Sequence, residues 1–309
     1  MKILFIDSTD PLLKSLLEKN GFICDEEYSL SKKQIEMKIS KYEGIIVRSR
    51  FKIDSSFIDK AKKLKFICRA GSGLENIDIK YAKSKGIKCY NAKSGNKQAV
   101  AEHALAMILS LFNNLLIANE EVRKGIWNRE KNRGIELAGK TVAIIGYGNN
   151  GSAFAELLKG FNVKILAYDK YLKRYPFKST MHKIYQEADI LSLHIPLNSE
   201  TTHLVNKKFI ENFKKNIYLI NTSRGKCINT TELVDCLKNK KILGACLDVL
   251  EYENTSFEML SDTKDNKEMQ YILENEKVIL SPHIAGWTYE SNIKIAEILF
   301  KKIISDLKN

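Results

Sequence analysis

TVAIIGYGNNGSAFAELLKG, at residues 141–160, predicts a buried strand, a glycine-rich turn and a helix in direct succession. Three glycines fall in the turn, at Gly146, Gly148 and Gly151. The first permits a tight turn, the second lets the backbone approach a pyrophosphate, and the third lets the helix pack against the strand. Free N–H groups at the start of the helix favour bound phosphates. The segment therefore predicts a dinucleotide site, to which we also assign Asn149 and Asn150.

The strand that follows, VKILAYD, ends in Asp169. A carboxylate at this place can accept hydrogen bonds from both ribose hydroxyls of a dinucleotide, and it repels a 2′-phosphate. The cofactor predicted from these residues is NAD rather than NADP. The neighbouring Lys170 offsets part of that repulsion.

Short apolar runs alternate with longer amphipathic stretches on both sides of this segment. The runs we interpret as strands are KILFID (2–7), GIIVRS (44–49), KFICRAG (65–71), IKCYN (87–91), VKILAYD (163–169), DILSLHIP (189–196), IYLINTS (217–223), ILGACLDV (242–249) and VILSPH (278–283). This alternation is typical of parallel sheets covered by helices on both faces. It predicts an α/β protein with two doubly wound, Rossmann-like parallel sheets. Long helices are expected at about 97–124 and 290–307.

The composition is that of an ordinary globular protein, with 44% hydrophobic and 28% charged residues in 309. The net charge of +13 is spread along the chain among acidic residues, and no nucleic-acid module is recognisable. No apolar run is long enough for a membrane span, and the N-terminus predicts a strand rather than a signal peptide. The six cysteines form no C-x-x-C pair and no zinc-ligand spacing, so reduced thiols, no metal and a cytoplasmic location are expected.

Three polar residues follow consecutive predicted strands near the end of the chain: Arg224, Glu253 and His283. In an open α/β sheet, ligands bind at the carboxyl ends of the strands. A histidine can take the hydroxyl proton of a hydroxy acid, and a carboxylate can stabilise the imidazolium that results. An arginine can hold a substrate carboxylate in bidentate fashion and polarise the developing carbonyl. Downstream of a dinucleotide motif, this trio predicts hydride transfer to or from a hydroxy acid.

The sequence resembles the D-isomer-specific 2-hydroxyacid dehydrogenases over essentially its whole length. The segments that carry the resemblance are RAGSGLENID (69–78), GIELAGKTVAIIGYGNNGSAFA (134–155), LSLHIPLNSETTHLVN (191–206), LINTSRG (219–225), GACLDVLEYE (244–253) and SPHIAGWT (281–288). In that family Arg224, Glu253 and His283 match the catalytic trio.

The resemblance also implies roles for residues outside the trio. Ser72 and Gly73 match a loop whose N–H groups hold the substrate carboxylate. His194 and Pro196 match a strand end that lines the cofactor. Thr222 and Asp248 match positions near the nicotinamide half of the cofactor.

The family also implies a domain organisation. A discontinuous substrate domain would comprise residues 1–97 and 288–309, and an NAD domain would comprise 98–287, with the active site in the cleft between them. A homodimer is implied as well. It would cover the apolar helix AEHALAMILSLFNNLL (101–116), and Trp127 would reach across the interface.

Some residues depart from the family pattern. Asn254 stands where the family has a proline, and Lys93 stands where proline or glycine is common. The polar stretch 254–278 has the composition of an insertion over the active-site edge. These departures concern loop shape rather than chemistry.

Within the family, the sequence most resembles the short form of the branch that oxidises 3-phosphoglycerate to phosphohydroxypyruvate in serine biosynthesis. The relevant residues are Arg48 and Arg69, at predicted strand ends, where a substrate phosphate would need positive partners. A glyoxylate/hydroxypyruvate or D-lactate-type reductase is the alternative. An NAD-sensing scaffold of the corepressor type is a more remote one.

Overall fold

The computed structural model describes residues 1–253 and 266–307. The described chain divides into two compact units. The N-terminal unit runs from Met1 to Lys97 and resumes at Trp287, whereas the central unit runs from Gln98 to Gly286. The first boundary is the expected one, and the second lies one residue before the expected start at 288.

The N-terminal unit is built on a five-stranded parallel sheet in the order β2-β1-β3-β4-β5. Its strands are β1 (Lys2–Phe5), β2 (Ile23–Glu26), β3 (Gly44–Val47), β4 (Phe66–Arg69) and β5 (Lys88–Tyr90). Its helices are α1 (Pro11–Lys19), α2 (Lys32–Lys38), α3 (Ser55–Lys60), α4 (Ile79–Ser84) and the final α12 (Tyr289–Leu307). The central strands β1, β3 and β4 are almost wholly apolar and buried, as parallel strands covered on both faces must be.

Helix α12 belongs to the N-terminal unit although it closes the chain. Its residues Ile295, Leu299 and Ile303 share one buried cluster with residues of β1. The approach is close at Gly95, where an added Cβ would lie 2.6 Å from Cγ1 of Ile295. The N-terminal unit is therefore discontinuous in sequence.

The central unit is built on a six-stranded parallel sheet in the order β11-β10-β9-β8-β6-β7. Its strands are β6 (Thr141–Ile145), β7 (Lys164–Tyr168), β8 (Ile190–Leu193), β9 (Ile217–Asn221), β10 (Ile242–Leu247) and β11 (Val278–Leu280). Its helices are α5 (Lys97–Phe112), α6 (Leu115–Arg123), α7 (Asn149–Leu158), α8 (Met181–Glu187), α9 (Lys207–Glu211), α10 (Thr230–Lys238) and α11 (Lys267–Glu274). Two separate apolar clusters cover the faces of this sheet. The prediction of two doubly wound parallel sheets is confirmed.

The prediction of a single long helix at 97–124 is wrong. The chain breaks after α5 at Asn114, whose φ of +49° is left-handed, and α6 departs at 61°. Asparagine tolerates this conformation better than most residues, so the sequence permits the break without a glycine. Among the described residues no single helix is long and apolar enough to span a membrane, although this bent pair passes the same test by length and composition.

The apolar surface of α5 is covered differently from the expectation. Ala101, Ala104, Ile108 and Leu111 pack within the central unit's own core, so one unit does bury most of the apolar side chains of this helix. In this helical region, from α5 to the segment after α6, the exposed large apolar side chains lie beyond α5. They are Leu115, Leu116, Val122, Ile126 and Trp127.

The polar stretch 254–278 is not one uniform insertion. Its residues 254–265 lie outside the described residues. The remainder forms α11, which Asn266 caps and whose Met269 and Ile272 are buried in the core. Its strong amphipathic pattern was hidden by the low overall hydropathy of the segment.

Candidate active site

The glycine-rich turn after β6 has the geometry that the motif predicts. Gly146 adopts a φ of +91°, and an added Cβ there would lie 2.2 Å from the carbonyl oxygen of His194. An added Cβ on Gly151 would lie 2.0 Å from the carbonyl oxygen of Gly146. Both positions therefore require glycine to keep the turn closed. At Gly148 an added Cβ would meet no atom within 4 Å, so the glycine leaves open space above the turn.

The open space at Gly148 is bordered by groups suited to a dinucleotide. No side chain caps the N-terminus of α7, which begins at Asn149. Five buried side-chain polar atoms have no hydrogen-bond partner among the described residues, and three of the five belong to residues assigned to the cofactor: Asn150 Oδ1, His194 Nδ1 and Thr222 Oγ1. Buried polar atoms are normally bonded, and a dinucleotide could supply the missing partners of these three. The residues present fit a bound dinucleotide.

Asp169 follows β7 and accepts three backbone N–H groups. Tyr147 donates to it at 2.8 Å, and Tyr171 and Leu172 each donate at 2.9 Å. Burial alone would raise the pKa of this carboxyl, but the three hydrogen bonds outweigh burial and hold the pKa below its usual value. The neighbouring Lys170 is paired with Glu200 at 2.6 Å, which offsets its charge. A negative group at the end of β7 is therefore preserved, and NAD is favoured over NADP.

His194 follows β8, the strand beside β6. Its Nε2 lies 2.9 Å from Ser192 Oγ, and its ring lies 5.4 Å from that of Phe154. Burial lowers the pKa of His194 to about 4, so the ring is neutral near pH 7. Pro196, two residues on, is exposed, and its carbonyl accepts the Thr201 hydroxyl at 2.7 Å.

The three predicted catalytic residues follow β9, β10 and β11, which are neighbours in one parallel sheet. Glu253 and His283 are in direct contact, since Oε2 of the glutamate lies 2.7 Å from Nδ1 of the histidine. The other oxygen of Glu253 accepts the N–H of Leu250. This pairing orients the imidazole and leaves its Nε2 as the nitrogen that exchanges a proton.

Arg224 stands at the same sheet edge, after β9. Its Nη1 donates to the carbonyl of Ser223 at 2.7 Å, and its own carbonyl accepts Nδ2 of Asn221 at 3.0 Å. Asn221 and Ser223 are buried. The backbone that carries the guanidinium is therefore fixed by buried polar side chains.

Asp248 has a different place from the one expected for a residue that touches the cofactor. Its side chain is 1% exposed, and its carboxylate accepts the N–H groups of Ile284 and Ala285 at 2.8 and 2.9 Å. Its backbone carbonyl accepts the N–H of His283 at 2.8 Å. The residue supports the loop that carries His283.

In the N-terminal unit, Ser72 and Gly73 lie in the loop after β4. The Ser72 hydroxyl donates to Asn96 at 2.7 Å, and Asn91 donates to the Ser72 carbonyl at 2.6 Å. Arg69 is 7% exposed, and it donates to the carbonyls of Arg48 and Gly73 at 2.9 and 3.0 Å. Arg69 was expected to bind a substrate phosphate. In the structure its guanidinium instead stabilises this loop through the two carbonyls.

Arg48 follows β3 and lines a cavity of about 290 Å³ in the N-terminal unit. Its guanidinium lies 4.6 Å from the ring centroid of Trp287, in a cation–π contact. The backbone N–H of Arg48 donates to Asp7 at 2.6 Å. Of the two arginines proposed for a phosphate, Arg48 is the one that borders a cavity.

Several residues of these sites were missed in the sequence. His103 is hydrogen-bonded to Ser281, which lies two residues before His283. Trp287 contacts the guanidinium of Arg48, and Asp7 accepts backbone N–H groups after β3. A histidine amid the apolar residues of AEHALAMIL was the one available signal for His103.

Comparison with known proteins adds to this geometry. Residues 105–285 match the family model described as "D-isomer specific 2-hydroxyacid dehydrogenase, NAD binding domain". The chain belongs to this family. Its members are NAD-dependent oxidoreductases, and the central unit carries the NAD-binding domain.

Individual relatives cover the chain end to end. A D-3-phosphoglycerate dehydrogenase of Archaeoglobus fulgidus is 32% identical over 100% of this chain and 58% of its own length. A hydroxypyruvate reductase of Thermotoga maritima is 32% identical over 96% of both chains. A D-lactate dehydrogenase of Aquifex aeolicus, solved with NAD and lactic acid, is 28% identical with a TM-score of 0.83, over 100% of this chain and 96% of that one. The chain thus spans little more than half of the first relative.

Proposed function

We propose that this protein is an NAD-dependent dehydrogenase that interconverts a D-2-hydroxy acid and its 2-oxo acid. The observation that carries the proposal is the Glu253–His283 pair at 2.7 Å, held at the carboxyl edge of a sheet that also carries the dinucleotide turn. A paired histidine at this edge supplies the proton exchange that oxidation of a hydroxyl requires.

Each residue of the proposed site has its own role in the reaction. The glycine turn at Gly146, Gly148 and Gly151, together with Asp169, would hold NAD, which would supply hydride-acceptor chemistry for C2 of the hydroxy acid. Nε2 of His283 takes the hydroxyl proton, and Glu253 stabilises the imidazolium that forms. Arg224 holds the substrate carboxylate and stabilises negative charge on the developing carbonyl oxygen. We propose Ser72 and Gly73 as further substrate-binding residues, through their backbone N–H groups.

The test is a panel of 2-oxo acids followed by NADH absorbance. His283→Ala is expected to lower kcat by about 10² to 10⁴, the usual worth of a positioned general base. His182→Gln, at an exposed histidine on α8, serves as the matched control and keeps wild-type activity. Near-wild-type turnover by His283→Ala contradicts the mechanism.

Within this reaction class we propose 3-phosphoglycerate as the hydroxy acid, with its phosphate near Arg48, and hence a role in serine biosynthesis. Support comes from the phosphoglycerate dehydrogenase relatives and from the cavity beside Arg48. A hydroxypyruvate or D-lactate-type reductase is the second candidate, supported by the similarity to the hydroxypyruvate reductase and the D-lactate dehydrogenase.

We also propose a cytoplasmic location. The six cysteines are unpaired, as is usual for proteins in a reducing compartment.

We also propose a homodimer formed through α6 and the segment after it. Leu115, Leu116 and Trp127 are each more than half exposed there, and isolated proteins rarely leave such a group of large apolar side chains uncovered. Light scattering at micromolar concentration is expected to return twice the mass of one chain, and Leu116→Glu is expected to shift the protein toward the monomer. A wild-type monomer contradicts this assembly.

A further inference from the structure

His103 is a polar residue on a largely apolar helix, and its contacts lead to the candidate active site. The side chain, on α5, is 24% exposed. Its Nε2 lies 2.8 Å from the hydroxyl of Ser281 and 3.5 Å from Oδ1 of Asp248. All three residues lie in the central unit.

The direction of this hydrogen-bonded chain is fixed by the number of protons. The Ser281 hydroxyl donates to Oδ1 of Asp248 at 2.6 Å. A hydroxyl has one proton, so the same oxygen must accept from His103. His103 therefore carries its proton on Nε2, and the chain runs from imidazole to hydroxyl to carboxylate.

The carboxylate at the end of this chain holds the loop of His283. Asp248 accepts the N–H groups of Ile284 and Ala285, so both of its oxygens are bonded to the segment around the catalytic histidine. His283 itself adopts a φ of +56°, a left-handed conformation that is unfavourable for a residue other than glycine. Such a conformation persists only where its surroundings hold it in place.

We propose that His103 is a positioning residue for catalysis, which acts on His283 through Ser281 and Asp248. Its N–H polarises the Ser281 hydroxyl, strengthens the bond to the Asp248 carboxylate, and so keeps the loop in the conformation that aims the imidazole. This inference rests on the proposed function of His283. It predicts a loss in turnover rather than in cofactor binding.

The experiment compares substitutions at His103 by kcat, KM and the NADH dissociation constant. His103→Ala lowers kcat about three- to tenfold, the value of one lost hydrogen bond, while the KM of the 2-oxo acid and the Kd of NADH stay within about twofold. His103→Gln restores most of kcat because its amide N–H replaces Nε2–H, and the shorter His103→Asn does not. His182→Gln is the control for loss of a histidine.

Coupling to Ser281 completes the test. Ser281→Ala lowers kcat as much as His103→Ala does, and the double variant loses little more, since the two residues form one chain. The proposal is overturned if His103→Ala keeps kcat within twofold of wild type. Equal rescue by Asn and Gln, or full additivity with Ser281→Ala, also overturns it.

A readout without turnover separates this inference from the proposed function. Nitrogen NMR of the His103 ring is expected to show the Nε2–H tautomer. The amide signals of Ile284 and Ala285 are expected to shift in His103→Ala and return in His103→Gln. An Nδ1–H tautomer, or unmoved amides, overturns the positioning role. A wild-type protein inactive on every 2-oxo acid instead overturns the proposed function.

Discussion

The two sheets have the same strand order over their first five strands. They carry different residues at the point where that order reverses. In the N-terminal unit the reversal lies between β1 and β3, and in the central unit it lies between β6 and β8. Open sheets of this kind bind ligands at such a point. After β1, Asp7 places a carboxylate there, which accepts the N–H groups of Arg48, Ser49 and Arg50 at 2.6, 2.9 and 3.1 Å. After β6, Gly146 places no side chain there at all.

The helices that follow differ in the same sense. Asp10 caps α1 by accepting the N–H of Leu12 at 2.9 Å, whereas α7, whose N-cap residue is Gly148, has no side-chain cap. Acidic side chains therefore occupy the N–H groups after β3 and at the start of α1 in one unit, whereas no side chain caps the start of α7 in the other. The same topology thus yields the dinucleotide turn in only one of the two units, and the short segment after the first strand decides which.

The largest expected effect comes from removing the carboxylate of the N-terminal unit. Asp7→Ala leaves three backbone N–H groups without their acceptor, and the free energy of unfolding is expected to fall by about 3 kcal/mol. Urea denaturation measures this change. Asp10→Ala, the cap on the same loop, is the control and costs about 1 kcal/mol. The Kd of NADH is unchanged in both variants, and a weakened NADH affinity in Asp7→Ala contradicts the division of labour between the units.

The next effect tests the open turn of the central unit. Gly148→Ala adds a methyl group where the protein itself has no atom within 4 Å, so the unliganded melting temperature is expected to stay within about 2 °C. The same methyl group occupies the approach of a pyrophosphate, and the Kd of NADH rises about thirtyfold, or about 2 kcal/mol. Gly160→Ala, also with open space around the added carbon, binds NADH like the wild type. Unchanged NADH affinity in Gly148→Ala rejects this turn as the phosphate site.

The central features of both units could be predicted because they depend on local patterns. The glycine spacing fixed the turn after β6, and the apolar runs fixed most strands. The break at Asn114 could not be predicted, since a left-handed asparagine has no signature of its own inside an apolar helix. Helices α2 and α8 carry little apolar periodicity, since each buries a single apolar residue, Ile35 and Ile184 respectively.

The side-chain sites were predictable to the extent that their residues follow strands. Glu253 and His283 meet because neighbouring parallel strands end at one edge. Arg69 was assigned to substrate from the same rule, but its guanidinium turns back to brace carbonyls of its own unit. A strand-end position predicts location, whereas the direction of a long side chain depends on acceptors that are distant in sequence.

The smallest effect concerns the residues that follow β3 and β8, the second strands of the two reversal points. Arg48 is charged and borders a cavity, whereas His194 is partly buried, and burial lowers its pKa to about 4. An unfolded chain binds a proton at this histidine near pH 6.5, well above the pH at which the folded protein does. The folded state therefore loses stability as the pH falls from about 6.5 toward about 4, because protonation favours the unfolded chain.

Comparing wild type with His194→Gln isolates the loss of stability that protonation of His194 causes. Glutamine does not titrate, and it can still form a hydrogen bond with Ser192. Between pH 7 and pH 5 the wild type is expected to lose about 1–2 kcal/mol more unfolding free energy than the variant. His182→Gln, at an exposed histidine, keeps the wild-type slope. Parallel pH profiles for wild type and His194→Gln would mean that the ring accepts a proton in the folded state. The reversal point of the central unit would then tolerate a positive charge, as that of the N-terminal unit does at Arg48, and the contrast between the two would rest on the glycine turn alone.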